Sequence, residues 1–463
     1  MALIKSISGI RGTIGGEPSK AFTPIDMVKY AAAYGTMLLS NNTNTTVSVV
    51  VGRDARISGA MVNALVTNTL IALGINVIDI GLSTTPTVEM AVKWAGATGG
   101  IILTASHNPA EWNALKLLNH KGEFISAADG ETMLAIAESN HYKFASVTAL
   151  GTITTGESYM QQHIQSILNL PLVNAQAIAN ANFTIVVDAI NSTGATFVPA
   201  LLQALGVQNI TVINSEVNGN FAHNPEPLPG HLTQLSNAVV AQQAHLGIAV
   251  DPDVDRLCFV NNDGTFFGEE YTLVAVADYV LTHTKGATVS NLSSTQALAD
   301  VTEKHGCRYE ASAVGEVNVV TLMKETNAII GGEGNGGIIY PELHYGRDAL
   351  VGIALFLSHL ANTKLTMVAL KNTYPNYTIS KNKIELTPDI DIASLFAELK
   401  IKYSDKQIID TDGLKIFFDK NWVHLRPSNT EPIIRIYSES ESEATANRLA
   451  ELIITDIKQL INA

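Results

Sequence analysis

A serine and a histidine follow a short apolar run in the segment TASHNP, residues 104–109. The run at 100–103 predicts a buried strand, and the Asn-Pro pair that ends the segment stops the strand from continuing, which places Ser106 on a tight turn. A serine held outward by such a turn is a candidate nucleophile, with His107 and Lys116 as proton or charge partners. The alternative is a turn capped by its own hydroxyls. The G-x-S-x-G pattern of the α/β-hydrolases is absent here.

Three carboxylates alternate in the segment DPDVDR, residues 251–256, which also follows an apolar strand. Asp251, Asp253 and Asp255 project to one face of an extended chain and offer hard oxygen ligands, while Arg256 balances charge or binds an anion. Because three like charges on one face repel one another, the pattern predicts a cation site, and Mg²⁺ suits it with positions left for water or phosphate oxygens. An EF-hand is excluded, because the sixth and twelfth positions are arginine and asparagine rather than glycine and glutamate.

A glycine-rich segment, GGEGNGG at residues 331–337, carries one carboxylate and one amide. The glycines allow the backbone to approach a ligand closely, and Glu333 and Asn335 form a pair suited to binding hydroxyl groups. The segment is not a dinucleotide fingerprint, because no G-x-G-x-x-G opens a helix with an acidic residue about twenty residues further on. A surface turn is the alternative.

Two arginines bracket the turn RPSNTEP, residues 426–432, with Arg435 lying beyond it. Guanidinium groups bind phosphate through paired hydrogen bonds, so Arg426 and Arg435 indicate a phosphate site. The hydroxyl and amide donors of the turn suit the remaining phosphate oxygens: Ser428, Asn429 and Thr430. The alternative is a turn closed by salt bridges.

The elements that must position these segments alternate between strands and helices over most of the chain, which predicts α/β domains with a mostly parallel sheet. In the first round, the predicted strands are 47–51, 77–80 and 100–104, and the helices begin at Pro24, Ser58 and Pro86. The next round contains strands 184–187, 210–213 and 247–250 with a helix at 196–205. The third contains strands 288–292 and 328–330 with a helix ended by Gly306.

The last part of the chain has a different pattern. Strands at 415–418, 422–425 and 433–437 are joined by turns, and an amphipathic helix covers 443–461, as in a small α+β domain. Four domains are therefore expected, each with one of the four segments: 1–150, 151–256, 257–368 and 369–463.

Composition excludes some classes of function. The 463 residues carry a net charge of −14, which argues against a nucleic-acid binder, because such proteins present basic surfaces to phosphate. Neither a run of 18 apolar residues nor a signal peptide is found, so no membrane partner and a cytoplasmic location are expected. The two cysteines, Cys258 and Cys307, form no C-x-x-C pattern and indicate neither a disulfide framework nor a zinc–cysteine site.

The four segments together resemble the signatures of the α-D-phosphohexomutase superfamily, in that family's order and over nearly the whole chain. SGIRG at 8–12 and GRDAR at 52–56 are further landmarks. The resemblance implies three mixed α/β domains and a smaller C-terminal domain around a central cleft. It also implies an isomerase that interconverts hexose 6-phosphate and hexose 1-phosphate through a phosphoserine and a bisphosphorylated sugar.

Residue roles follow from the same resemblance. Ser106 would be the phosphoserine, and Mg²⁺ would be bound by its oxygen together with the carboxylates of Asp251, Asp253 and Asp255. Side chains lining the transfer site would be Arg11, Lys116 and Arg256. Sugar hydroxyls would bind Glu333 and Asn335. The phosphate that is not transferred would bind Arg426, Ser428, Asn429, Thr430 and Arg435.

Three positions depart from the family pattern. Ala114 replaces the usual glycine two residues before Lys116, which leaves the lysine in place. Gly337 replaces a histidine that often ends the sugar-binding segment, so a proton-transfer role falls to His107 or Lys116. Ala313 replaces a familiar lysine and removes one possible phosphate contact.

The resemblance predicts a Mg²⁺-dependent phosphohexomutase of carbohydrate metabolism. The favoured substrate is glucosamine phosphate, which is used in the synthesis of cell-wall precursors. The alternative is an enzyme acting on both mannose and glucose phosphates. A phosphatase using the same serine and metal, with water as acceptor, is a more distant alternative. A hexose 1,6-bisphosphate is the expected activator, and the enzyme is expected to be a monomer or a homodimer.

Overall fold

The first region of the chain combines parallel and antiparallel strands in one seven-stranded sheet. The computed structural model describes residues 2–6, 9–42, 46–156, 158–387, 390–428 and 433–461. The first elements are β1 (Leu3–Ser6), β2 (Gly9–Thr13), α1 (Pro24–Asn41), β3 (Ser48–Arg53), α2 (Gly59–Ala72), β4 (Asn76–Leu82), α3 (Thr85–Trp94), β5 (Gly99–Leu103), β6 (Trp112–Leu118), α4 (Ala127–Ser139) and β7 (Ile153–Thr155). The sheet order is β1-β2-β6-β5-β3-β4-β7.

The expectation of a mostly parallel sheet is wrong for half of this sheet. β5, β3 and β4 pair in parallel, as predicted, and β7, which was not predicted, pairs in parallel with β4. β1, β2 and β6 extend the sheet through antiparallel pairs, β6 beside β5. β6 carries Lys116, and its hairpin-like return after the serine turn is what brings the lysine back beside β5. The alternation of strands and helices did not reveal this strand, because no helix separates β5 from β6.

The second region forms a four-stranded sheet of its own. Its elements are α5 (Tyr159–Leu168), α6 (Ala175–Asn180), β8 (Thr184–Asp188), α7 (Gly194–Ala204), β9 (Asn209–Ile213), α8 (Thr233–Ala241), β10 (Leu246–Val250) and β11 (Leu257–Val260). The order is β11-β10-β8-β9, with β8 parallel to both neighbours and β11 antiparallel to β10. The DPDVDR segment is therefore the turn between β10 and β11.

The third region contains the glycine-rich segment. Its elements are α9 (Glu269–His283), β12 (Thr288–Asn291), α10 (Gln296–Lys304), β13 (Tyr309–Ser312), α11 (Glu316–Thr326), β14 (Ile330–Glu333), β15 (Gly337–Ile339), α12 (Ala349–Thr363) and α13 (Met367–Lys371). β12 pairs in parallel with β13 and with β14. Glu333 is thus the last residue of a buried parallel strand, the position at which open α/β sheets bind ligands.

The C-terminal region is an antiparallel sheet with helices, as the sequence predicts. Its elements are β16 (Thr378–Glu385), α14 (Ile392–Lys402), β17 (Ile408–Ile409), β18 (Leu414–Phe418), β19 (Asn421–Pro427), β20 (Ile433–Ser440) and α15 (Glu443–Ile461). The sheet order is β16-β20-β19-β18-β17. α15 buries Ala446, Ala450, Ile453 and Ile457, one helical stripe, against this sheet.

Two compact units are distinguished in the chain. One comprises Met1–Thr272 and Gly336–Val368, and the other Leu273–Asn335 and Ala369–Ala463. Among the described residues, no helix combines the length and the apolar character needed to cross a membrane.

Candidate active site

Ser106 lies on a strained turn at the end of β5. Its φ is +50°, a left-handed conformation that few residues other than glycine adopt, and it is 7% exposed. The Ser106 N–H donates to Thr104 Oγ1 at 2.9 Å, and the Thr104 hydroxyl donates to Asp54 Oδ2 at 2.6 Å. The turn is therefore fixed by buried hydrogen bonds, as a nucleophile with a defined direction requires.

Arg56 fastens the serine turn to the end of β3. Its guanidinium donates to four backbone carbonyls of the turn and of β6: Ser106 O at 2.5 Å, Asn108 O at 2.7 Å, Pro109 O at 2.7 Å and Trp112 O at 2.9 Å. Its Nε also pairs with Asp54 Oδ2 at 3.1 Å, where both side chains are fully buried. Burial raises the pKa of Asp54, although Arg56 and Thr104 oppose the effect. Arg56 is thus the positioning residue for the Ser106 turn.

Arg56→Lys is expected to loosen this turn and to destabilise the protein. The single ammonium group of lysine cannot donate to all the carbonyls that the planar guanidinium group of arginine contacts. Buried carbonyl oxygens and Asp54 therefore lose hydrogen-bond donors. Because each buried acceptor left without a donor costs about 1–3 kcal/mol, we expect a loss of about 3–5 kcal/mol in the free energy of unfolding. Urea unfolding measures it, with Arg448→Lys on the exposed face of α15 as the control. A change below about 1 kcal/mol would show that the contacts of Arg56 are dispensable.

The three aspartates of the β10–β11 turn converge on Ser106. All three carboxylates are fully buried, and Ser106 Oγ donates to Asp251 Oδ2 at 2.7 Å. Asp251 Oδ1 accepts from the backbone N–H groups of Asp255 and Arg256 at 3.2 and 3.1 Å. Val254 at the centre of the turn has a φ of +59°, which is unfavourable for a β-branched residue. The strain indicates that the position of the carboxylates is imposed by the surrounding fold.

Two cations balance this acidic cluster. Lys116 Nζ lies 2.7 Å from Asp253 Oδ2 and 3.3 Å from Asp255 Oδ2, and Arg347 Nη2 lies 2.7 Å from Asp255 Oδ2. Burial opposes ionisation of Asp255, but Arg347 and Lys116 hold the pKa of its carboxyl below the usual range. Burial would also lower the pKa of Lys116, but Asp253 and Asp255 raise it above its usual range. Lys116 therefore stays an ammonium.

The remaining oxygens of the cluster fit a divalent cation. Asp253 Oδ1 and Asp255 Oδ1 are buried and have no hydrogen-bond partner within the described part of the chain. Burial, together with Asp253 and Asp255, raises the pKa of Asp251 well above its usual range, so ionisation of all three groups needs a further positive charge. The three side chains offer ligand atoms within 4.8 Å of one another. An all-oxygen donor set that keeps positions free for water or phosphate suits Mg²⁺.

His107 is one of the two candidates for proton transfer, and its ring lies beside Ser106. Its Nδ1 is 3.5 Å from Ser106 Oγ, the outer limit of a hydrogen bond. Burial lowers the pKa of His107 well below its usual range, and the charges of Arg256, Arg347 and Arg11 lower it further, against Asp255. The imidazole is thus neutral near pH 7 and can accept a proton. Of the two candidates, Lys116 is the less suited, because its ammonium form is stabilised.

The charges of Arg11 and Arg256 both act on His107, beside Ser106. Arg11 lies on β2 opposite Ala114 of β6, and its charge acts on His107. Arg256 is 8% exposed, and its Nη1 lies 3.7 Å from Glu226 Oε1. Every side chain that the sequence assigns to the transfer site therefore lies near Ser106.

Glu333 is buried and hydrogen-bonded at the end of β14. Its Oε1 accepts from Asn291 Nδ2 at 2.9 Å and from the Gly315 N–H at 3.1 Å, and the residue is 4% exposed. Gly334 N–H donates to Ser294 Oγ at 3.0 Å, which fixes the start of the glycine-rich turn. Asn335 is partly exposed on this turn, whereas the glycines of the turn are buried. The arrangement holds one carboxylate in a fixed position beside a partly exposed amide.

Three basic residues form a row across the C-terminal sheet. Arg426 of β19 lies opposite Arg435 of β20, which lies opposite Lys383 of β16. Directly opposed residues of neighbouring antiparallel strands project to the same face, where like charges repel. Among the described residues, Asp412 provides a counter-charge, because its Oδ2 lies 2.8 Å from Arg426 Nε. The excess of positive charge suits a bound anion, such as phosphate.

The turn beside this row is only partly described. Ser428 N–H donates to Ile433 O at 2.9 Å, which closes the turn. Asn429 and Thr430 lie outside the described residues. Their predicted role therefore stays a prediction.

Three side chains that the structure places beside the predicted residues were not predicted from the sequence. Arg56 was noted as part of GRDAR but without a role, and the contacts that define its role come from a turn about fifty residues away. Arg347 stands beside Asp348 just before the apolar helix α12, and a charged pair at such a position was the available signal. Lys383 gave no signal, because its place beside Arg435 depends on the register of β16.

Comparison with known families agrees with this fold. Models described as phosphoglucomutase/phosphomannomutase match in four stretches: α/β/α domain I at residues 3–144, domain II at 160–264, domain III at 268–377 and the C-terminal domain at 387–455. These are three α/β domains and a C-terminal domain. The boundaries 1–150, 151–256, 257–368 and 369–463 stay predictions. Fold and site together define the class of phosphohexomutases, isomerases that transfer a phosphoryl group within one sugar molecule.

The chain belongs to the phosphoglucomutase/phosphomannomutase family. A phosphoglucomutase/phosphomannomutase of Thermococcus kodakarensis is 34% identical, over 97% of this chain and 98% of the relative. A phosphoglucosamine/phosphogalactosamine mutase of Sulfurisphaera tokodaii is 29% identical, over 100% of this chain and 99% of the relative. The crystal structure of a family protein from Burkholderia thailandensis has the same fold, with a TM-score of 0.83, 24% identity and 98% coverage of both chains.

Proposed function

We propose that this phosphohexomutase works through a phosphoserine at Ser106, with Mg²⁺ bound by Asp251, Asp253 and Asp255. The observation that carries the proposal is the contact of Ser106 Oγ with Asp251 Oδ2 at 2.7 Å, in a cluster with two buried carboxylate oxygens that have no hydrogen-bond partner among the described residues. Phosphoryl transfer needs chiefly positioning and positive charge at the phosphoryl oxygens, which a bound Mg²⁺ supplies in part. The side chains of Lys116, Arg347, Arg256 and Arg11 contribute the rest.

The proposed reaction has two phosphoryl transfers at one serine. In the first, a sugar hydroxyl oxygen bonds to the phosphorus of phosphoserine while the bond to Ser106 Oγ breaks, and the hydroxyl proton passes to the released Oγ. In the second, Oγ bonds to the phosphorus at the other end of the bisphosphorylated sugar while the bond from that phosphorus to the sugar oxygen breaks. The proton of Oγ passes to this sugar oxygen, which releases the isomer. His107 Nδ1, 3.5 Å from Oγ, is the proposed proton carrier. A hexose 1,6-bisphosphate would phosphorylate Ser106 at the start and is the proposed activator.

The proposed sugar and phosphate contacts lie on other segments. Glu333 and Asn335 would bind sugar hydroxyls. The phosphate that is not transferred would bind Arg426, Arg435, Ser428, Asn429 and Thr430, with Lys383 added by its register beside Arg435. A dedicated anion site is expected in a mutase, which must bind one phosphate while the other reacts.

Glucosamine phosphate is the proposed substrate, with interconversion of the 6-phosphate and the 1-phosphate. Mannose and glucose phosphates are the second candidate, favoured by the name of the 34% identical relative. Values of kcat/KM for the 1-phosphates of glucosamine, glucose and mannose, measured with a hexose 1,6-bisphosphate, distinguish the two. A value for glucosamine 1-phosphate above those for the other two sugars supports the first candidate. Similar values for glucose 1-phosphate and mannose 1-phosphate, both above that for glucosamine 1-phosphate, support the second.

Arg426→Ala is expected to lower kcat/KM by about 10²–10³-fold, the usual loss when one preorganised charged donor is removed. Lys383→Ala is expected to act in the same direction with a smaller effect, since Lys383 is exposed. Steady-state kinetics with the sugar 1-phosphate measures both, and Lys420→Ala, in the exposed turn before β19, is the matched control. A loss below tenfold for Arg426→Ala would place the distal phosphate elsewhere.

A further inference from the structure

A second group of metal-binding residues lies outside the serine and aspartate cluster. His163 of α5, His344 and Asp348 offer ligand atoms within 4.8 Å of one another. Asp348 Oδ2 lies 2.9 Å from His163 Nε2 and 3.3 Å from His344 Nε2. The side chains of His163 and Asp348 are fully buried, and that of His344 is 11% exposed. Two imidazoles thus present the same ring nitrogen to one carboxylate oxygen.

The remaining polar atoms of these three side chains face residues outside the group. His163 Nδ1 lies 2.8 Å from Thr87 Oγ1, and His344 Nδ1 lies 3.5 Å from Glu89 Oε2. Asp348 Oδ1 caps α12, accepting from the N–H groups of Leu350 and Val351 at 2.8 and 3.3 Å. Only Oδ2 therefore faces the imidazoles. Metal-bound histidines characteristically have the second ring nitrogen bonded to a carboxylate, carbonyl or water, which sets their orientation.

A bound cation would suit the neighbours of both rings. The two ring nitrogens of His344 face carboxylates, Nε2 that of Asp348 and Nδ1 that of Glu89. With a metal on Nε2, the Nδ1–H of His344 would point to Glu89, and the Nδ1–H of His163 would be donated to Thr87 Oγ1. Each ring nitrogen would then have one partner of the correct kind.

The distances fit a tetrahedral ion. Zn²⁺ bonds of about 2.0–2.1 Å to nitrogen and oxygen place neighbouring ligands about 3.3 Å apart. The ligand separations of 2.9 and 3.3 Å are close to that edge length. Two imidazoles and a carboxylate suit Zn²⁺ better than Mg²⁺, which prefers oxygen. We propose that His163 Nε2, His344 Nε2 and Asp348 Oδ2 bind one Zn²⁺ ion.

The ion would have a structural role close to the active site. It would join α5 to the segment before α12, and its outer contacts Thr87 and Glu89 belong to α3. Gly346 of the same segment approaches Glu89 so closely that a Cβ atom there would lie 1.9 Å from Oε2. Arg347 is next in the chain and pairs with Asp255. Zn²⁺ would thus fix the segment that places Arg347.

A cobalt titration tests the proposal directly. Metal-free protein is titrated with Co²⁺ in excess Mg²⁺, which occupies the aspartate cluster, and the visible bands of tetrahedral Co²⁺ are recorded. We expect one equivalent of Co²⁺ to give these bands and Zn²⁺ to abolish them. His163→Gln and His344→Gln should each remove them. His305→Gln is the matched control, since His305 Nε2 lies 2.7 Å from Asp278 Oδ1 but the pair belongs to no group of three metal-binding side chains among the described residues, and it should leave the bands unchanged.

Absence of tetrahedral bands in the wild-type protein would overturn the proposal, as would bands that persist in both variants. Circular dichroism checks that the variants fold. If either does not, the wild-type thermal midpoint decides: it rises with added Zn²⁺ if the native protein binds the ion, and an unchanged midpoint counts against the site.

Discussion

Ser106→Ala is expected to abolish isomerisation while sugar phosphate still binds. Alanine removes the hydroxyl oxygen that contacts Asp251, so no phosphoryl group can be bound at this position. The loss should be on the order of 10⁶-fold in kcat, as when a serine hydrolase loses its nucleophile. Binding of hexose 6-phosphate, measured by calorimetry, should change little, because a hydroxyl adds little to an anion site built from guanidinium groups.

The control for this variant is Ser358→Ala, another buried serine, on α12. It should keep wild-type turnover, since Ser358 Oγ contacts only Ala354 O and the Asn174 N–H among the described residues. Incubation with a hexose 1,6-bisphosphate should add one phosphoryl group to the wild type and none to Ser106→Ala. Intact-mass measurement detects the difference. Wild-type turnover in Ser106→Ala would reject the phosphoserine mechanism. Release of inorganic phosphate exceeding isomer formation in the wild type would indicate that water is the acceptor.

Asp253→Asn is expected to weaken Mg²⁺ binding and to lower kcat by at least about 10³-fold. A catalytic metal supplies several kcal/mol of charge stabilisation, and each tenfold in rate corresponds to about 1.4 kcal/mol. Asparagine keeps the shape and an oxygen for Lys116 or Thr85, but it removes one of the charges that attract the cation. Calorimetric titration with Mg²⁺ measures the affinity, and steady-state kinetics measures the rate.

Asp263→Asn is the matched control for Asp253→Asn. Asp263 lies in the exposed turn after β11, where its carboxylate only accepts from Thr265 among the described residues. The change should leave both Mg²⁺ affinity and turnover at wild-type values. Unaltered Mg²⁺ affinity in Asp253→Asn would remove Asp253 from the metal site, and full activity of the wild type after chelation would remove the metal from the reaction.

The sequence predicted much of the fold where local patterns and tertiary environment agree. The helix at 443–461 coincides with α15, because its apolar stripe is packed on one sheet along its whole length. The strand at 247–250 matches β10 within one residue, since it is apolar and buried on both faces. β6 was missed and the first sheet was expected to be mostly parallel, because antiparallel return of the chain depends on pairing with β2 and β5, not on a local signal.

The sequence by itself determined which residue types do the chemistry. A serine turn, alternating aspartates, a glycine-rich carboxylate turn and a basic turn each combine functional groups within a few residues, and their order indicates the family. Local spacing suffices there, because each segment forms its own turn at the end of a strand.

Only the tertiary structure decided which side chains complete the site. It placed Arg56 on four carbonyls, Arg347 and Lys116 on the aspartates, and Lys383 in the row with Arg435. It also made Lys116 a stabilised ammonium and His107 a neutral base, which spacing could not distinguish. The physical reason is that charge stabilisation and pKa depend on burial and on through-space neighbours, and these neighbours come from strands far apart in the chain.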